Sequence, residues 1–275
     1  MSAQSELLRC PHRDGRRAHA KGWLPETKLP PVTAWYQPKT ELATGKIVGV
    51  EALARIMDPV HGVSSPAAFL ETASPVAIEE LTYSILSQAL AAQRDWTAAG
   101  YPLSVAVNVP ASLIGRAAAR DRLLRMVDEC AATPQRIVLE IVETGTADDD
   151  ATLPAATAEL RAAGFGLAID DFGIGHSSLL RLMQCPFTEL KIDRAFVQRA
   201  SIDPKVHAAL DACVLLGKRL GMQITAEGVE KFADLEEVTA AGCDFVQGYL
   251  ISRALPGELL PTLLSRTQPA RGLLI

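Results

Sequence analysis

The sequence predicts an α/β fold closed into a (β/α)8 barrel with one antiparallel strand. Strand-like and helix-like patterns alternate from about residue 32 onward, which calls for a mostly parallel sheet. Eight strand candidates occur, at 32–37, 47–53, 103–108, 137–141, 166–170, 189–192, 223–226 and 245–247, enough to close a ring. Seven apolar runs end in a carboxylate, a carboxamide or a lysine, as expected where many strand ends converge on one mouth.

Taken in order, residues 1–31 stand apart. Arg9, Arg13, Arg16, Arg17 and Lys21 face only Asp14 between Arg9 and Lys21, and Pro25, Pro30 and Pro31 follow, so the segment reads as a flexible tail or linker. Cys10, His12 and His19 are too sparse for a zinc site. The first two strands are joined by ELATGK, whose Thr44-Gly45 suits a hairpin, so one strand opposes the others. Residues 78–98 carry Leu81, Ile85, Leu86 and Ala89 at helical spacing. Residues 205–220 carry Val206, Leu210, Cys213, Val214 and Gly217 in the same way, with Gly221 beyond as a stop. The barrel is expected to span 32–265, with 266–275 a C-terminal tail.

The polar strand ends carry the chemistry. Glu51, Asn108, Glu140 and Glu227 each follow an apolar strand, and Asp170-Asp171 closes another. Oxygen ligands of this kind suit hard cations such as Mg²⁺ and Mn²⁺, whereas His and Cys close none of these strands. Adjacent strand residues point to opposite faces. Both aspartates therefore reach one site only if the strand ends at Asp170 and Asp171 begins the turn at Phe172-Gly173-Ile174-Gly175. Lys191, between Leu190 and Ile192, is inward-facing and needs an anion or a task. It could orient a water, neutralise a phosphate or pair with a site carboxylate. Glu143 and Glu230 each lie three residues past a proposed ligand and read as loop braces. His61, His176 and His207 are isolated, and none is assigned as a general base.

Bulk properties exclude several classes. The 275 residues suit one large domain, with 48% hydrophobic and 21% charged content. A net charge of −5 is a poor match for nucleic acid. Five scattered cysteines without a CxxC read as reduced thiols in a cytoplasmic protein. Residues 96–115 are uncharged, but Gly100, Pro102, Asn108 and Pro110 interrupt them, so no membrane span is expected. The N-terminus lacks the apolar core of a signal peptide.

Several motifs occur together. Tyr36-Gln37-Pro38 is followed by Glu51-Ala52-Leu53 with Arg55. Asn108, Glu140, the DDFG at 170–173, Ser177-Ser178, LKIDRAFV at 190–197, AEGVE at 226–230 and QGY at 247–249 come after them. In this order they resemble the EAL domain, the family of cyclic di-GMP-specific phosphodiesterases, over roughly residues 34–256. The resemblance implies a TIM-like barrel with one antiparallel strand, and hydrolysis of cyclic di-GMP to linear pGpG with two Mg²⁺ or Mn²⁺ ions and inhibition by Ca²⁺. It makes Glu51, Asn108, Glu140, Asp170, Asp171 and Glu227 the metal ligands, with Asp170 bridging, and Glu51, Lys191 and Glu227 the catalytic centre. Lys191 would hold the attacking water. Gln37, Leu53, Arg55, Asp193 and Gln247 would contact the dinucleotide or hold its site together. Glu143 would anchor the loop after DDFG, which links dimerisation to activity, so a homodimer and a regulatory protein partner are implied. Ile56, Asp58, Pro110, His176 and Ala254 depart from the family pattern without removing a ligand; Pro110 and His176 touch loop geometry. Two rivals stand beside this reading: a catalytically silent cyclic di-GMP receptor, and a Mg²⁺-dependent barrel enzyme of another chemistry such as proton abstraction.

Overall fold

The computed structural model describes residues 30–58, 62–142, 147–173 and 179–267. Strand β1 (Val32–Glu41) turns through residues 42–46 into β2 (Ile47–Asp58). The Glu41 N–H donates to the Lys46 carbonyl at 2.9 Å and the Gly45 N–H to the Glu41 carbonyl at 2.8 Å. This is the hairpin that Thr44-Gly45 predicts.

A short strand β3 (Gly62–Ser64) folds back on the end of β2. The parallel strands follow: β4 (Ser104–Pro110), β5 (Ile137–Val142), β6 (Gly166–Phe172), β7 (Glu189–Ile192), β8 (Gln223–Ala226) and β9 (Phe245–Gln247). The two-residue β10 (Leu255–Pro256) pairs with β1. Around the ring the order is β1, β2, β4, β5, β6, β7, β8, β9, and β9 pairs again with β1. β1 is antiparallel to both neighbours, and every other contact in the ring is parallel. All eight expected strands are present. β3 and β10, which lie outside the ring, were not anticipated, because two or three residues carry no readable period.

Alternation along each strand decides what fills the barrel. Val105, Val107, Leu139, Ile141, Leu167, Ile169, Leu190, Ile192 and Ile224 are buried in the apolar core between strands and helices. Their strand neighbours at Asn108, Glu140, Asp170 and Lys191 occupy the alternate face, toward the interior.

The helices start where the sequence caps them. Helix Pro75–Ala98 has Pro75 in its first turn, and the Ser74 hydroxyl accepts from the Ala77 N–H at 3.2 Å. It buries Leu81, Ile85, Leu86 and Ala89 as the spacing predicts. Helix Pro204–Arg219 is capped by Asp203 and buries Leu210, Val214 and Gly217. A Cβ on Gly217 would stand 2.4 Å from the Ile224 side chain, so this helix lies against β8 only because the position is glycine. Among the described residues, no helix is long and apolar enough to cross a membrane. Among the described residues, Cys130, Cys213 and Cys243 are free thiols. The predicted tails at 1–31 and 266–275 fall almost wholly outside the described residues, as does Cys10.

Candidate active site

The upper layer of inward residues, at the C-terminal ends of the parallel strands, converges on one atom. The Lys191 Nζ lies 2.6 Å from Glu227, 2.8 Å from Glu140, 3.2 Å from Asp170 and 3.7 Å from Glu51. Its side chain is 1% exposed. Glu51 is held at both oxygens: Asn108 Nδ2 donates to Oε1 at 2.9 Å and Gln247 Nε2 to Oε2 at 2.6 Å. Gln247 Nε2 also reaches Gln37 Oε1 at 3.3 Å, and Gln37 Nε2 donates to the Ser252 carbonyl at 3.3 Å. Residues from eight strands or strand ends thus form one polar layer, brought together by registers such as Gln37 opposite Glu51 and Asn108 opposite Glu140.

One ammonium cannot neutralise four carboxylates. Burial and the facing Glu51 push Glu140 well above the usual carboxylate range, against the pull of Lys191. Burial likewise raises Glu227 to about 8 despite its contact with Lys191. Burial opposes ionisation of Glu51 too, but Lys191, Asn108 and Gln247 outweigh it and hold Glu51 below its ordinary value. Lys191 is itself held well above an ordinary lysine, because Glu140, Glu227, Glu51 and Asp170 outweigh its desolvation.

The donor set fits hard divalent cations. The Glu140 Oε2 and Asp170 Oδ1 atoms are buried and, although near Nζ, have no hydrogen bond of proper alignment. Such orphaned carboxyl oxygens are what a hard cation takes up. Among the described residues no three His, Cys, Asp or Glu side chains yet enclose a common metal point. The physical reason is that Lys191 occupies the point on which the carboxylates converge.

The turn expected at Asp171 is corrected by the structure. β6 continues through Asp171 to Phe172, and its register against β7 slips between Ile169 and Phe172, with Ile169 opposite Leu190 and Phe172 opposite Ile192. One extra residue on β6 makes a bulge, which re-aims side chains without ending the strand. The turn itself comes at Gly173, with φ +98°. The side chain of Asp171 lies outside the described residues, as do Glu143, His176 and Ser177-Ser178 in full.

The remaining candidates surround the mouth. Gln37, Leu53, Asp193, Glu230 and Gln247 line a cleft of about 380 Å³ with Glu51, Asp170, Lys191 and Glu227. Asp193 also caps helix Arg194–Ala200, accepting from the Ala195 N–H at 2.7 Å. Arg55 is not among the residues lining this cleft; its guanidinium lies 5.7 Å above the Trp35 ring and donates to the Ala54 carbonyl. Glu230 is exposed, and the brace expected of it belongs instead to buried Asp234, which accepts from the N–H groups of Glu230 and Lys231. Sequence reasoning missed Tyr249, a half-exposed wall of the cleft whose ring carries the Arg253 guanidinium at 3.9 Å. Its position two residues after Gln247 was the available signal.

This geometry agrees with the comparisons. The family model of the EAL domain matches residues 28–254. The chain is 37% identical over 226 residues to the cyclic di-GMP phosphodiesterase RocR of Pseudomonas aeruginosa, covering 82% of this chain and 58% of RocR. It is 38% identical over 228 residues to the bifunctional diguanylate cyclase/cyclic di-GMP phosphodiesterase MucR of the same organism, covering 82% of this chain and 33% of MucR. It thus spans little more than half of one relative and a third of the other. Among solved structures, the PaMucR phosphodiesterase in complex with c-di-GMP superposes with a TM-score of 0.77 at 37% identity, covering 83% of this chain and 94% of that one. A calcium/cyclic di-GMP complex of Klebsiella pneumoniae BlrP1 superposes with a TM-score of 0.72 at 26% identity, covering 82% of this chain and 56% of that one. The fold and the mouth define a closed barrel with an acidic layer at the C-terminal ends of its parallel strands. The chain belongs to the EAL domain family.

Proposed function

We propose that this protein hydrolyses cyclic di-GMP to linear pGpG and so lowers the level of that messenger. The observation that carries the reading is the buried Lys191 with four carboxylates and two carboxamides arranged around it at the mouth. The names of RocR and of the PaMucR complex support the substrate. Glu51, Asn108, Glu140, Asp170, Asp171 and Glu227 would hold two Mg²⁺ or Mn²⁺ ions, which when bound supply Lewis acidity toward the phosphate and acidify water. Ca²⁺, larger and less demanding in geometry, is expected to bind and inhibit.

The protein's own groups do the rest. The cleft orients the dinucleotide, with Gln37, Leu53 and Asp193 along its wall and Arg55 outside it. Lys191 donates to the attacking water and offsets the charge of the phosphate. Gln247 and Asn108 keep Glu51 in place. Water attacks phosphorus in line, the bond from phosphorus to the ribose 3′-oxygen breaks, and the proton lost by the water ends on that oxygen. Residues 32–265 form the catalytic unit in this reading. Glu143 anchors the loop after Gly173, and the protein works in the cytoplasm as a homodimer under a regulatory partner.

The test is incubation of the purified protein with cyclic di-GMP and Mg²⁺ or Mn²⁺, with chromatographic resolution of products. The expected result is pGpG, abolished by EDTA or Ca²⁺. Tight binding without product under Mn²⁺ would replace this reading with a silent receptor.

A further inference from the structure

The turn that carries Glu227 is held from outside the cleft. Glu227 is the first residue past β8, and its N–H donates to the Ile192 carbonyl of β7 at 3.0 Å. The peptide unit that follows, between Gly228 and Val229, is fixed at both ends. The Val229 N–H donates to the Gln247 carbonyl at 3.2 Å. The Gly228 carbonyl accepts from Gln198 Nε2 at 2.9 Å. The Val229 carbonyl then accepts from the Leu250 N–H at 3.0 Å. Among the described residues, Gln198 is the side-chain member of a clamp whose other bonds run from backbone to backbone.

Gln198 lies 30 positions before Gly228, in helix Arg194–Ala200. That helix begins just past the end of β7, the strand of Lys191, with Asp193 as its cap. Gly228, at φ +66°, lets the helix come close: a Cβ there would stand 2.3 Å from the Arg194 Cβ. The same helix is therefore joined by the chain to Lys191 and by a hydrogen bond to the turn of Glu227. Those two side chains meet at 2.6 Å, the shortest of the four carboxylate contacts of Lys191. Val197 and Ala200 bury the inner face of the helix, so it is anchored in the core and does not follow the turn. Gln198 is half-buried and does not line the cleft. Any effect it has on the reaction passes through Glu227.

We infer that Gln198 is a positioning residue, whose hydrogen bond to the Gly228 carbonyl sets where the Glu227 carboxylate stands against Lys191. Without that donor the peptide unit next to Glu227 is free to rotate and carries the carboxylate with it. Partners that orient a ligand from behind are worth about 10–100-fold in metal affinity or activity. The inference rests on the proposed function for what Glu227 does, and adds what places it.

Three variants test it. Gln198→Met keeps the length of the side chain and removes the donor. Gln198→Lys restores a donor at similar reach. Arg199→Ala, the next position on the helix, breaks only the exposed ion pair with Asp203 and controls for helix stability. Each is compared with the unaltered chain by titration calorimetry with Mn²⁺, by thermal melting, and by kcat and KM for cyclic di-GMP at saturating Mn²⁺. Gln198→Met should weaken Mn²⁺ binding and lower kcat, each about 10-fold, with KM little changed. Gln198→Lys should regain most of both, and Arg199→Ala should move neither. Should Gln198→Met fail to fold, Gln198→Asn, polar but one methylene too short, takes its place with the same expectation. A donor-less variant that melts earlier yet keeps its Mn²⁺ affinity and kcat would overturn the inference and leave Gln198 a structural residue. A loss that Gln198→Lys does not regain would overturn it too. Absence of product from the unaltered chain would overturn the proposed function instead, and the Mn²⁺ affinities would still decide the inference.

Discussion

The barrel buries one lysine near each end, and the two keep opposite company. At the floor, Lys39 on β1 faces Glu189 on β7, its Nζ 2.8 Å from both carboxylate oxygens. Thr225 donates to the same carboxylate at 2.5 Å, and the Lys39 ammonium sits 5.0 Å from the Phe245 ring centre. At the mouth, two residues further along β7, Lys191 meets four carboxylates. The floor cavity is the larger, about 510 Å³ against about 380 Å³ at the mouth. Its buried charges, however, are matched one to one. The mouth carries surplus negative charge that protein groups do not cancel. Size does not mark the active end of this barrel; charge imbalance does, because only an unbalanced set has affinity left for cations and a reason to change protonation.

Substitutions should separate the two ends. Glu51→Ala should leave no measurable turnover, while the melting temperature stays similar or rises, since one of several mutually repelling carboxylates is gone. Lys191→Met should lower kcat by about 10²–10³-fold with a much smaller change in binding. Kinetics and thermal melts on both variants check this. A Met variant that keeps its rate would place Lys191 with Lys39 as a structural group.

Lys39→Met should show the reverse pattern. It leaves Glu189 buried and unpaired, which costs about 3–5 kcal/mol, whereas replacing both partners by apolar residues is often neutral. Lys39→Met should therefore melt far earlier and the pair Lys39→Met with Glu189→Leu should recover, with kcat of the folded fraction retained in both. Denaturant titration with activity measured before the transition tests both halves. A double variant as weak as the single one would refute the balanced-pair account.

The two ends should also respond to pH with opposite sign. Burial raises the Glu189 pKa, but Lys39, Thr225 and Lys191 together outweigh it and lower the value, so this group's stabilisation is present above the unfolded carboxylate value near 4.5 and is lost as pH falls. Glu227 is raised to about 8 and Glu140 well above normal. Their contribution is full below about 4.5 and is lost as pH rises toward 8. In EDTA, stability should accordingly decline from pH 5 to pH 8. Added Mn²⁺ should raise the melting temperature more at pH 8 than at pH 6. A cation response independent of pH would separate metal binding from these carboxylates. The smallest effect expected is at Thr225→Val, which removes one hydrogen bond to a buried carboxylate and should cost about 1.5–3 kcal/mol without altering kcat.

Much of this was legible along the chain. The period-two alternation that places Val107 outward and Asn108 inward is local, and so is the cap at Ser74 that starts its helix. Eight strands of that pattern, seven of them closing in a carboxylate, a carboxamide or a lysine, predict a barrel mouth before any contact is known. The residue types there, oxygen ligands with a single lysine, specify hard-cation chemistry. The ring decided what remained. Lys39 and Glu189 are 150 positions apart, and nothing near either announces its partner. The bulge on β6 shows only against β7, so the sequence could place the two aspartates together only by ending the strand too soon. That Glu140 and Glu227 resist ionisation while Glu51 does not depends on which of them Asn108 and Gln247 reach. Local pattern determines which face a residue takes, because that follows from backbone geometry within one strand. Pairing and protonation follow from which strands closure sets side by side, and that belongs to the tertiary structure.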